Sequence, residues 1–261
     1  MMRRTAKSLI AIAVLAVAVV AIPIIGLFVR VPWTRMSELW SNDTASAALR
    51  ITLQTSLVAT ALCVLLGVPL AWAMSNASDK VRTLARALVT VPVVLPPVVG
   101  GIALLSALGR KGVFGGFLSS LGISLPFTQT AVVLSQLFVA MPFLVLAVES
   151  QFRTMDRGVI DAARVMGFGP FRTFTHVVLP MTKGSVIAGA ILAWARAVGE
   201  FGASITFAGS LKAKTQTLPM AVYELLERDW ELAMGLSVVM VIFAIGVIFG
   251  LRSQLLNSGN A

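Results

Sequence analysis

Charge is what this sequence has least of. Only 12% of its 261 residues are Asp, Glu, Lys or Arg, about half the share of a soluble domain. A water-soluble fold needs more polar surface than that. Histidine occurs once, at His176, and cysteine once, at Cys63. One imidazole cannot complete a metal site, so His176 reads as polar filler. One thiol in an apolar stretch forms no intramolecular disulfide and says nothing of redox compartment, so Cys63 reads as packing. No Gly-x-x-x-x-Gly-Lys-Ser/Thr phosphate loop occurs, so the chain lacks ATP machinery of its own. Clustered His, Asp or Cys at membrane depth, which an embedded enzyme would need, are missing as well.

What the chain has is apolar length. Hydrophobic residues make up 57% and the mean hydropathy is +0.91. They come in long blocks rather than at amphipathic spacing, and blocks of about 18 or more read as membrane spans. The fold class is therefore an all-α integral membrane protein of about six transmembrane helices. It reads as a single domain over residues 1–261 with its core at 46–251, and no loop holds a soluble domain. The expected spans are Ser8 to Phe28, Ile51 to Met74, Leu88 to Leu108, Thr128 to Val148, Gly184 to Phe207, and Leu232 to Leu251. The basic start Arg3, Arg4 and Lys7 resembles a signal peptide. The first apolar run is too long for one, and no small-x-small cleavage site follows, so the span is read as retained. Trp33 and Trp40 in the next loop suit a membrane interface. The third span carries Pro92, Pro96, Pro97, Gly100 and Gly101. Prolines free backbone carbonyls that lipid cannot satisfy. That span is expected to be broken or kinked, either for packing or to line a cavity.

The formal net charge of +10 does not indicate nucleic acid, because the cations are scattered through loops between spans. They orient the chain instead. With a cytoplasmic N-terminus, twelve of the 21 Lys and Arg fall inside: Arg3, Arg4, Lys7, Lys80, Arg82, Arg86, Arg153, Arg157, Arg164, Arg172, Lys183 and Arg252. Eight fall outside, and Arg196 lies within the fifth span. The excess predicts both termini in the cytoplasm.

Between spans four and five, the polar stretch 156–180 reads as two short helices, Asp156 to Met166 and Pro170 to Val177. Gly167-Phe168-Gly169-Pro170 breaks them apart, and Pro180 is expected to stop the second. Ala162 and Ala163 permit close backbone approach, while Phe168, Phe171 and Phe174 offer apolar anchors. An amphipathic helix lying on lipid is the plainer alternative. The pattern Asp161-Ala162-Ala163, three residues, Gly167, eleven residues, Leu179-Pro180 resembles the Glu-Ala-Ala loop of ABC importer permeases, with Asp161 in place of Glu. That resemblance implies an ABC importer permease type of fold. It also implies that Asp161, Ala162, Ala163, Gly167, Phe168, Leu179 and Pro180 form coupling helices that dock on an ATPase subunit.

The fifth span ends Arg196-Ala197-Val198-Gly199-Glu200-Phe201-Gly202-Ala203. Arg196 and Glu200 are four apart and are expected on one helix face, where pairing offsets the cost of charge at membrane depth. The pair is either structural or part of a polar path. Gly199 and Gly202 suit close helix contact. The string Gly199-Glu200-Phe201-Gly202-Ala203, followed by Thr215-Gln216-Thr217-Leu218-Pro219 and Tyr223, resembles molybdate importer permeases. The related sulfate permeases share the Gly-Glu-Phe-Gly part. The resemblance implies a homodimeric permease in the cytoplasmic membrane, with cytoplasmic ABC ATPase subunits using ATP-Mg and an extracytoplasmic molybdate-binding protein. It implies no cofactor and no catalysis in this chain. An ion-coupled secondary transporter is the rival reading. It calls for matching broken helices in both halves, and the sequence signals only one, in span three.

Overall fold

The computed structural model describes the backbone of residues 2–41 and 43–257 and the side chains of residues 9–39 and 43–249. The side chains of Arg3, Arg4, Lys7, Trp40 and Arg252 therefore lie outside the described residues. Among those described, all regular structure is helical. α1 (Met2–Arg30) leads to a short turn of 3-10 helix at Trp33–Arg35 and α2 (Met36–Ser41). α3 (Asp43–Asn76) is followed by α4 (Asp79–Val94) and α5 (Pro97–Leu108). Within the Gly-rich stretch from Gly109 to Phe127 lies α6 (Gly115–Ser120). α7 (Gln129–Thr154) precedes α8 (Arg157–Val165), α9 (Pro170–Thr173) and α10 (Leu179–Met181). Then come α11 (Lys183–Val198), α12 (Gly202–Ala208), α13 (Leu218–Arg228) and α14 (Trp230–Asn257).

Four of these are long and apolar enough to cross a membrane unbroken: α1, α3, α7 and α14. Counting each of two bent pairs as one span gives up to six: α4 with α5, bent by 116°, and the run Pro170–Met181 with α11, bent by 77°. The side-chain contacts give their directions. Cys63 lies against the Leu137 carbonyl, and Gly67 lies against Leu144 and Val145. α3 and α7 thus run parallel, and the chain must recross between them. The broken pair α4–α5 is that crossing.

The expected break in the third span is real, and its cause is local. Leu95 precedes a proline, which disfavours helical geometry at the preceding residue, and it adopts φ −66° and ψ 135°. Pro97 then opens α5 in the first turn, where its missing N–H is harmless. The fifth span departs from expectation. Instead of one helix from Gly184 to Phe207, α11 stops at Val198, and Gly199–Phe201 separates it from α12. α11 alone is about 24 Å long, short of the roughly 30 Å hydrocarbon core, and α12 extends it. A second broken helix therefore exists, without a proline to signal it. The loop expected from Ala208 to Glu231 likewise contains α13, opened by Pro219 in its first turn.

The core lies along the α3–α7–α11 contact, where Cys63, Ala71, Ala140, Leu144, Val148, Ala193 and Ala197 are buried. α1 exposes apolar residues on all sides, from Leu9 to Val29, as a lipid-bathed helix does.

Candidate functional site

The segment after α7 is built by caps. Asp156 Oδ1 accepts from the Gly158 amide at 2.8 Å and starts α8. At the other end Gly167 takes φ +83°. The Phe168 amide donates to the Ala163 carbonyl at 3.0 Å, and the Gly167 amide to the Arg164 carbonyl at 2.9 Å. This is the paired-bond closure of a Schellman turn, which needs a left-handed residue. Pro170 then opens α9.

Pro180 does not stop the second helix. The chain widens into a π turn at Phe174–Val178, with the Leu179 amide donating to the Phe174 carbonyl, and α10 runs through Pro180 to Met181. A proline ring clashes with the carbonyl four residues earlier, here that of His176, and a wide turn relieves the clash. The sharp bend comes two residues later, at Thr182.

The sequence-assigned coupling residues divide by burial. Ala163 is buried, while Asp161 and Ala162 are exposed. Asp161 Oδ1 holds Arg164 at 3.1 Å. Phe168 is half-buried beneath the Arg172 guanidinium, 5.3 Å from ring centroid to Cζ. Leu179 packs against the core, and Pro180 is exposed. The three phenylalanines do not act together. Phe174 turns inward, 5.8 Å from Trp72 of α3 and 6.5 Å from Phe152 of α7. Phe171 points out, 78% exposed, as do Val165 at 89% and Met166 at 67%. Val165 and Met166 are tip residues that the motif did not single out. Their signal was a pair of large apolar residues immediately before the Gly167 break, at the helix end.

A second cluster forms where the two broken spans meet. A Cβ added to Gly202 would lie 2.6 Å from Pro97 Cβ, and one added to Gly101 would lie 2.7 Å from the Ala203 carbonyl oxygen. The N-terminal turns of α5 and α12 are therefore in direct contact. Gly199 makes no such contact among the described residues of the chain: it is exposed, and an added Cβ would meet only the Ala195 carbonyl, at 3.7 Å.

Arg196 and Glu200 do pair, Nη2 to Oε2 at 2.7 Å, yet not along one helix face. Arg196 lies in the last turn of α11, and Glu200 stands in the break. Glu200 Oε1 accepts from the Ala203 amide at 2.7 Å and caps α12. The cation sits at a helix C-terminus and the anion at a helix N-terminus, each in its favoured field. Glu200 is 1% exposed and Arg196 28%. The Phe201 ring contacts Tyr223 of α13 at 5.2 Å. Polar side chains line the neighbouring interior. Thr215, Gln216 and Thr217 are buried before α13, and so are Ser204 on α12 and Gln136 on α7. The Thr52 hydroxyl accepts from the Leu218 amide at 2.8 Å.

A third feature had no sequence signal. Arg86 on α4 forms a forked pair with Glu149 on α7, at 2.6 and 2.7 Å, across 63 positions of sequence. Glu149 is buried. The pair ties the α4 arm of the broken span to the helix that seats the segment after it. No group of three or more potential metal ligands occurs among the described residues.

Comparison with known proteins agrees with this architecture. Residues 63–259 match the family described as the binding-protein-dependent transport system inner membrane component. The molybdenum transport system permease protein ModB of Mycobacterium tuberculosis is 40% identical over 89% of this chain and 88% of its own length. The sulfate transport system permease protein CysT of Synechococcus elongatus is 32% identical over 87% of this chain and 83% of its own. A chain in the crystal structure of a bacterial alginate ABC transporter superposes with a TM-score of 0.63 at 15% identity, covering 93% of this chain and 91% of that one. At that identity the likeness speaks for the fold alone. The chain is thus a multi-pass membrane protein, and it belongs to the family of inner membrane components of binding-protein-dependent transport systems.

Proposed function

We propose that this chain is the membrane subunit of an ATP-driven importer for molybdate. The observation that carries the reading is the construction of the segment at α8. Its tip, with Asp161, Val165, Met166 and Phe171, is exposed. Its base is seated on α3 and α7 through Phe174, Trp72 and Phe152. Its backbone continues through the π turn and α10 into α11. A displacement of the tip by a partner therefore reaches the start of α11, and the far end of α11 is the Arg196–Glu200 junction. Small shifts in packed helices switch between discrete arrangements rather than deforming continuously.

In this reading the chain works as a homodimer with a pair of cytoplasmic ABC ATPase subunits. Those subunits use ATP-Mg, and an extracytoplasmic molybdate-binding protein delivers the anion. The chain is a single permease domain in the cytoplasmic membrane with both termini inside. It binds no cofactor, catalyses nothing itself and engages lipid rather than nucleic acid. The molybdenum permease likeness supports molybdate. The sulfate permease likeness supports a related tetrahedral oxyanion, sulfate or tungstate, as the second reading.

Vesicle ATPase activity tests both. The permease and its ATPase partner are reconstituted, and binding protein loaded with molybdate or with sulfate is added. Stimulation by the molybdate-loaded protein alone is expected. Stimulation by the sulfate-loaded protein would keep the mechanism and move the substrate. Absence of any stable complex with an ATPase subunit would overturn the reading.

A further inference from the structure

The turn between α3 and α4 and the start of α8 enclose a cavity of about 500 Å³ that the transport reading leaves unused. Trp72 and Phe152 form an aromatic part of its lining, and Arg82, Arg153 and Arg157 reach it from three different elements, with Asp79 as its one carboxylate. That carboxylate is spent on Arg82, whose other nitrogen donates to the Ala77 carbonyl. Asp156, next to the cavity, is committed to the Gly158 amide. Among the described residues neither Arg153 nor Arg157 has a carboxylate within ion-pair distance, and both are exposed. Two helices also begin here. Asp79 opens α4 and Arg157 opens α8; the α8 start is capped by Asp156, while the first amides of α4 have no side-chain cap and add partial positive charge to the same space. The Ser78 side chain at the start of α4 makes no capping bond.

An excess of arginines without acidic partners, converging with the uncapped start of α4 on one concave space, selects a ligand by chemistry. Guanidinium forks fit the oxygens of phosphate-type anions. The surroundings indicate where such a group would come from. α4 exposes Val81, Leu84 and Leu88 at helical spacing, an apolar stripe that continues from the polar turn. The cavity therefore sits where polar chain meets lipid-facing helix, the level of lipid headgroups. We infer that this cavity binds a phosphate-type anion, supplied by an anionic lipid headgroup or by free phosphate. The site lies apart from the Arg196–Glu200 junction, and the inference does not depend on which anion is transported.

Native mass spectrometry of the permease with its ATPase subunit tests it. The probes are phosphatidylglycerol, phosphatidylcholine and sodium phosphate. The wild type is expected to retain phosphatidylglycerol at least fivefold better than phosphatidylcholine, and Arg153→Gln and Arg157→Gln each to reduce that retention severalfold. Retention of phosphate without lipid preference, lost in the same variants, would uphold the site and assign it to the free anion. Equal retention of both lipids by the wild type, with no phosphate bound, would overturn the inference and needs no variant to read. Retention unchanged in both variants would overturn it too. So would loss of the ATPase subunit from the variants with retention intact, since the arginines would then serve an acidic protein surface.

Discussion

At the residue scale, the Arg196–Glu200 pair is asymmetric, and the asymmetry can be measured. Glu200 is buried while Arg196 keeps a path to water. Removing the cation strands a buried carboxylate, and breaking such pairs costs about 3 kcal/mol or more. Arg196→Met is therefore expected to lower stability by about 3 kcal/mol in denaturant titration of the detergent-solubilised protein. Glu200→Gln retains an oxygen for the Ala203 amide and leaves an arginine that can be hydrated, so about 1 kcal/mol is expected. Equal losses would show that the two charges share one environment. The glycines of the same string separate in the same way. Gly202→Ala drives a methyl group into Pro97, an overpacking worth roughly 1–3 kcal/mol. Gly199→Ala meets nothing closer than 3.7 Å and is expected to leave the thermal midpoint within 1–2 °C, about what a few tenths of a kcal/mol produce.

At the scale of elements, the helix–turn–helix at α8 depends on one left-handed residue, and of its two exposed acids Asp156 caps the helix while Asp161 stands on its outer face. Gly167→Pro locks φ near −65°, where the turn requires +83°, and should disorganise the tip. Asp161→Lys removes only an exposed pair with Arg164, worth about 0–1 kcal/mol. Both variants are expected to insert normally and to lose most ATP-driven uptake in vesicles. Normal uptake in either would remove the coupling role from this segment. On the opposite end, Arg35 joins the 3-10 turn to the α13–α14 junction through Asp229 and Glu231, at 3.0 and 2.6 Å, and pairs with Glu38 of α2 at 2.8 Å. The Arg35 guanidinium holds the Glu38 carboxyl below the usual carboxylate range. The Leu232 amide, and then Arg35, do the same for Asp229. Carboxyls with depressed folded values contribute stability that is fully present above their unfolded values, near pH 4. That stability is lost as pH falls through the folded values. The thermal midpoint is expected to hold from pH 7 to about 5 and to drop below pH 4. Arg35→Gln should flatten that drop.

At the scale of the whole molecule, orientation is the open quantity, and Cys63 makes it accessible. The only native thiol is buried, so the wild type is expected to resist membrane-impermeant maleimide. Val113 and Val165 are among the most exposed side chains, at opposite ends of the α4–α5 and α7 crossings. Val113→Cys is expected to label in intact cells and Val165→Cys only in inside-out vesicles. The reverse pattern would invert the topology. Much of this scale was legible in sequence. The six apolar blocks and the break at Pro96–Pro97 needed only hydropathy and proline chemistry. The break at Gly199–Phe201 was not legible, because Arg196 and Glu200 at four-residue spacing look like continuous helix. Just past it Gly202 rests on Pro97, a contact between residues over a hundred positions apart. The Arg86–Glu149 pair was hidden for the same reason.

The sequence by itself determined that this chain crosses membranes, about how many times, and where a glycine-broken helix pair would lie between the fourth and fifth spans. Those features follow from local chemistry: apolar length, a proline's missing N–H, a glycine's access to positive φ. Only the tertiary structure decided that the two broken spans meet at their helix starts, which of three phenylalanines anchors and which protrudes, and which arginines remain without a carboxylate. Those outcomes depend on what the other helices bring alongside, and residue spacing along one chain carries no record of that.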